Sequence, residues 1–196
     1  MGKIELKLSK LISAAGHPVL LVSAFVFLVN FKEFDISRAL NLSLLVLGFI
    51  VIPVCLYILI QMKRGKYQNF DVSHRENRNS LYPIIILLQA VLFSFLVFKD
   101  YPWLIRSGLL SSLFLTTLGF FINQVLKVSM HTTVAFYLSV LLIHVEMKMA
   151  FTMLIFSALI AYSRVILGRH SVPEVTAGLF LGLVSGGVFY WLINSI

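Results

Sequence analysis

Four ionisable side chains, Arg164, Arg169, His170 and Glu174, fall within eleven positions near the end of this 196-residue chain. They belong to the stretch Ser-Arg-Val-Ile-Leu-Gly-Arg-His-Ser-Val-Pro-Glu, residues 163–174, which separates two apolar runs. Only 12% of the chain is charged. Charge placed beside hydrocarbon is costly, so a cluster of this kind points to function. Guanidinium forks match phosphate oxygens, and an imidazole exchanges protons near neutral pH. Two arginines, a histidine and a carboxylate therefore suit the handling of a phosphate.

Two other polar stretches hold compatible groups. Within residues 61–80, Arg75 and Arg78 are candidates, and Arg78 is the better phosphate ligand because it adjoins the next apolar run. Lys63, Arg64 and Lys66 read as a cationic connection between helices. Within Lys127-Val128-Ser129-Met130-His131, Ser129 is placed to cap the following helix. Helix starts bind anions through free N–H groups, so His131 in the first turn would face such a site. Glu174 has two readings. Ser171-Val172-Pro173-Glu174 is a capping box with proline in the first turn. Alternatively, the carboxylate accepts a hydrogen bond from His170 and leaves the other imidazole nitrogen free as a nucleophile. His17, His74 and His144 are given no role. With no HExxH, cysteine pair or acidic ladder, the sequence supports no metal site.

The elements that must position these groups are apolar. The chain is 59% hydrophobic with a mean hydropathy of +0.95, which excludes an ordinary soluble core and indicates an all-α polytopic membrane bundle. Seven apolar runs are expected to be helical: 11–31, weakened by Gly16-His17-Pro18; 40–62, interrupted by Pro53; 81–98; 103–126; 130–145; 149–163; and 173–194. The first and the short fifth and sixth are the weakest, so the expected number of spans is six or seven. No polar stretch is long enough for a separate soluble unit, giving one membrane-embedded domain over 1–196. The single Cys55 offers neither a disulfide nor a metal pair. The net charge of +8 flanks apolar segments and suits anionic headgroups, not nucleic acid. Lys3, Lys7 and Lys10 precede an anchored first helix, since no small-residue cleavage site follows. Gly178, Gly182 and Gly186 form a small-residue face for close helix packing. The stretches 61–80, 127–131 and 163–174 follow two, four and six crossings, so all three lie on one side of the membrane.

Together the three polar stretches resemble the type 2 phosphatidic acid phosphatase family, the integral-membrane lipid phosphatases related to vanadium haloperoxidases, and in particular its small bacterial members. The family pattern is KxxxxxxRP, PSGH and SRxxxxxHxxxD. Here the third motif reads Ser163-Arg164, five residues, His170, three residues, Glu174; the second keeps Ser129 and His131; the first aligns as Asp71, six residues, Arg78-Asn79. The resemblance implies that His170 attacks phosphorus to form a phosphohistidine. It further implies that His131 protonates the leaving oxygen and then activates water, with Glu174 orienting His170. Arg78, Arg164 and Ser129 would hold the phosphoryl oxygens. Lys127 or Arg75 would compensate for Asp71, which stands in place of a phosphate-binding lysine. Met130 for glycine crowds the pocket, and Glu174 for aspartate adds a methylene.

On this resemblance the chain is expected to be a phosphatase that needs no metal or other cofactor. Its substrate would be a lipid phosphate or prenyl pyrophosphate met among membrane lipids. A phosphotransferase using the same site, or a non-catalytic lipid-phosphate-binding protein, are the alternatives. The location expected is a bacterial cytoplasmic membrane. The site side carries eleven Lys/Arg against five opposite, or seven against five without those at the site. That weakly favours the cytoplasmic face, whereas the resemblance favours the outer one. The oligomeric state has no signature in the sequence.

Overall fold

The computed structural model describes residues 2–195, and among these the ordered elements are helical throughout. They are α1 (Lys3–Ala15), α2 (Pro18–Glu33), α3 (Ile36–Val46), a π-helical turn (Leu47–Val51), α4 (Ile52–Lys63), α5 (Arg75–Phe98), α6 (Trp103–Asn123), α7 (Met130–Val145), α8 (Met147–Ile166) and α9 (Val172–Asn194). Among the described residues, five helical segments are long and apolar enough to cross a membrane, with α3, the π turn and α4 counting as one; the bent α1–α2 pair makes six if it is a single span. Only 22–33% of each of the five is buried. Their apolar residues therefore face outward as well as inward, as lipid contact requires. This is an integral membrane protein.

The expected run 11–31 is corrected to two helices bent by 54° at Gly16-His17-Pro18. Pro18 has no N–H and is suited to a helix start, and His17 caps that start by accepting from Val19 N–H at 3.3 Å. Gly16 seats the corner on α8, since a Cβ there would lie 2.6 Å from the Ile160 side chain. The run 40–62 lengthens to Ile36–Lys63 with a π turn ahead of Pro53. Proline leaves a carbonyl without its donor, and the backbone widens so that Ile52 N–H reaches Leu47 O. The run 81–98 starts earlier, at Arg75, so Arg78 lies on the first turn of a helix.

The short α7 is the centre of the bundle. Residues 131–139 are all buried, and the helix packs against α2, α8 and α9. Leu21, Leu115, Tyr137, Leu138, Ile160 and Phe189 close the apolar core around it. The glycine face of α9 makes this possible. A Cβ on Gly178 would lie 2.9 Å from Ser129 O, and one on Gly182 would lie 2.5 Å from Thr133 O. The two backbones touch, and Ser129 N–H donates to Glu174 O at 3.2 Å.

Candidate active site

The three polar stretches meet at one end of α7. Ser129 is the N-cap of that helix, as its position suggested, and accepts from Thr132 N–H at 3.5 Å. Ser129 is fully buried, and His131 follows in the first turn. Arg78 reaches across from α5 and donates through Nη1 to Val128 O at 2.6 Å and through Nε to Val72 O at 3.0 Å. Its Nη2 makes no hydrogen bond among the described residues. Lys127 donates to Arg169 O at 3.1 Å, which ties the second stretch to the third. Arg75 is exposed and donates to Val125 O, bracing the α6–α7 connection instead of entering the pocket. Arg169 is exposed as well.

His170 is delivered by a helix reversal. Gly168 adopts φ +63, a left-handed conformation that glycine takes without steric cost, and it ends α8. Arg169 N–H and His170 N–H then both return to Arg164 O. Glu174, in the first turn of α9, serves both readings of the sequence. Its Oε2 accepts from Ser171 N–H at 3.2 Å, completing the capping box, and from His170 Nδ1 at 2.8 Å. A carboxylate only accepts, so Nδ1 carries the hydrogen and Nε2 keeps a free lone pair. Burial, followed by the cations Arg78, Arg164 and Lys127, pushes the His170 pKa down to about 3. His170 is thus neutral at pH 7, and its contact with Glu174 is a hydrogen bond donated by a neutral imidazole.

Two residues to which the sequence assigned no role lie at this pocket. Asp71, which replaces the family lysine, turns inward: its Oδ2 lies 2.7 Å from Arg164 Nη2 and its Oδ1 lies 3.3 Å from His131 Nε2. The next residue, Val72, holds φ +45 and is buried, a conformation rare for a β-branched side chain and sustained only by its surroundings. Arg164 also donates from Nη1 to Ser13 Oγ at 2.8 Å, while its Nε is buried without a partner. The second residue is His17, whose ring centroid is 5.2 Å from that of His131, edge-on. A polar residue interrupting an apolar run at Gly16-His17-Pro18 was the available signal, but its distance in sequence concealed its neighbours. One donor atom each from His17, Asp71 and His131 lie within 4.8 Å of one another. No metal motif betrayed this group, because its members come from three separate segments.

Two cavities adjoin the pocket. One of about 90 Å³ is bordered by His17, Asp71, Arg78 and His131. The other, of about 270 Å³, runs among α2, α3, α5, α6 and α7 and is mostly apolar. Ile85 and Met130 line both.

A family model described as the PAP2 superfamily matches residues 90–196, more than half of the chain. The protein belongs to the PAP2 superfamily. No curated protein and no solved structure matches the chain. Phosphatase action on phosphate esters is the general activity of the superfamily. The matched range contains Ser129, His131, Arg164, His170 and Glu174, whereas His17, Asp71 and Arg78 precede it.

Proposed function

We propose that this chain is a membrane lipid phosphatase that hydrolyses a phosphomonoester or pyrophosphate of a lipid or prenyl substrate through a phosphohistidine. The observation that carries the lipid specificity is the pair of cavities. A small cavity that Arg78 and His131 border shares Ile85 and Met130 with a larger, mostly apolar one. A phosphorylated head group with a hydrocarbon tail fits both. His170 Nε2 attacks phosphorus as the bond from phosphorus to the leaving oxygen breaks, and His131 gives that oxygen its proton. Water then attacks the phosphohistidine, losing its proton to His131, and the N–P electron pair returns to His170. Arg78, Arg164 and the Ser129 end of α7 stabilise the charge that develops on the phosphoryl oxygens. Glu174 keeps the His170 ring in its attacking orientation. Lys127 adds positive charge at the rim, and residues 1–196 act as one unit in a bacterial cytoplasmic membrane.

A second reading rests on Asp71. Its carboxylate holds Arg164 and lies beside His131, the groups a phosphate would engage. This favours a protein that binds lipid phosphates without turning them over. Phosphate release by detergent-purified protein, with chelator present, separates the two. The panel is phosphatidic acid, phosphatidylglycerol phosphate and undecaprenyl pyrophosphate, with wild type beside His170→Ala. Release that disappears in His170→Ala is expected. Equal release by both proteins rejects His170 as nucleophile, and lipid binding without release favours the second reading. Transfer of radiolabelled phosphoryl group to an acceptor alcohol instead of water would make the chain a phosphotransferase.

A further inference from the structure

We infer that His17, Asp71 and His131 form a binding site for a divalent transition-metal ion such as Zn²⁺, and that an ion held there blocks the phosphoryl chemistry of the pocket. The second half rests on the phosphatase reading; the first does not. Two imidazoles and a carboxylate are the donor set of borderline ions, whereas Mg²⁺ and Ca²⁺ prefer oxygen alone. Nitrogen and oxygen ligands lie about 2.0–2.2 Å from zinc, so two ligands of a tetrahedral ion are roughly 3.3–3.6 Å apart. The separation of Asp71 Oδ1 and His131 Nε2 is 3.3 Å. The third donor, from His17, lies within 4.8 Å of the other two, and a side-chain rotation at the α1–α2 corner closes the difference.

The surroundings favour this geometry. Arg164 Nη2 grips Asp71 Oδ2 at 2.7 Å and so presents Oδ1 to the pocket, as outer partners of a ligating carboxylate do. The cavity of about 90 Å³ bordering all three residues leaves a fourth position for water or an anion. The family pattern has lysine where this chain has Asp71, and a lysine there would repel a cation. His17 has no part in the phosphoryl-transfer scheme. Its Nδ1 accepts from Val19 N–H at 3.3 Å, so Nε2 is the nitrogen left for an ion. Coordination through Nε2 moves the ring proton to Nδ1 and ends that long bond to Val19. An ion on His131 Nε2 holds the ring of the residue proposed to protonate the leaving oxygen and puts positive charge on it, so turnover stops while it is bound.

The test uses the full-length protein in detergent, stripped with chelator and then titrated with Co²⁺, whose visible absorption reports four-coordinate ligation, and with Zn²⁺ by calorimetry. His17→Asn retains a capping side chain but removes the imidazole, and Asp71→Asn removes the charge. Wild type is expected to bind one ion per chain. Both variants should lose affinity by more than the roughly 10–100-fold that outer-shell losses cause, and His144→Ala should match wild type. Metal-free His17→Asn should release phosphate within about twofold of wild type and resist Zn²⁺ at concentrations that stop wild type. Unchanged stoichiometry and affinity in His17→Asn and Asp71→Asn overturn the site. Zn²⁺ inhibition that persists in His17→Asn overturns the blocking role. Ion binding that depends on His17, in a protein whose metal-free form releases no phosphate, upholds the site and rejects the phosphatase reading alone.

Discussion

The pocket has two halves built by different means. At the α8–α9 corner, His170 and Glu174 are four residues apart and are joined by a reversal at Gly168 and a capping box. Opposite them, His17 and Asp71 come from a broken helix and a connecting segment, and meet His131 only through packing. The first half lies in the range shared with the PAP2 superfamily and the second precedes it. The difference teaches that the groups proposed to transfer phosphate are held by local backbone geometry. His17 and Asp71 are held by tertiary contacts, and there the electrostatics differ most from a bare phosphate pocket.

The comparison breaks most sharply at His170. His170→Ala should lower phosphate release by roughly 10⁴-fold or more, measured as single-turnover release from the best substrate of the panel; a loss of only tenfold would remove the α8–α9 half from the chemistry. The joint between the halves is tested next. In Gly182→Ala the new Cβ would lie 2.5 Å from Thr133 O and 2.9 Å from Tyr137 N, so thermal unfolding should show destabilisation of about 1–3 kcal/mol. Gly187→Ala meets nothing within 4 Å and should stay within about 0.5 kcal/mol of wild type. Equal effects at the two glycines would mean that α7 and α9 do not touch.

On the other half, Asp71→Asn removes a negative charge from beside Arg164, and inorganic phosphate should bind about tenfold more tightly by calorimetry; weaker binding would show that Asp71 supports the anion site. Met130→Ala enlarges the passage between the cavities. It should shift the ratio of kcat/KM between long-chain and short-chain substrates by roughly threefold to tenfold, and an unchanged ratio would dissociate the apolar cavity from the substrate. The smallest effect concerns acid. His170 is held near 3 by burial and by Arg78, Arg164, Lys127 and His131, while an unfolded chain takes up its proton near 6.5. The folded state therefore loses stability relative to His170→Gln as pH falls from about 6.5 toward 3. Unfolding temperatures of the two proteins at pH 7 and pH 5 check the sign, which reverses if the folded imidazole is charged.

The apolar runs declared the membrane bundle because hydropathy depends on composition alone. The spacing from His170 to Glu174 declared the corner proposed to be nucleophilic, because residues four apart across a helix start are neighbours. Ser129 as a cap and His131 in the first turn were legible for the same reason. The bend at Gly16-His17-Pro18 was only half legible. The proline signalled a weak helix, yet nothing nearby in sequence showed that the break would carry an imidazole to His131. Asp71 was legible only as a departure from the family lysine, because its partner Arg164 is 93 positions away.

Sequence by itself therefore determined the class of protein, the helical segments in outline and the local geometry of the corner that holds His170 and Glu174. Those features depend on interactions within a few residues, or on summed hydrophobicity. Only the tertiary structure decided that Asp71 pairs with Arg164, that His17 lies beside His131, and that a large apolar cavity meets the smaller one beside His131 at Met130. Each depends on which helix faces pack together. That choice follows from the close approach of α9 to α7, and no local pattern encodes the neighbours it brings.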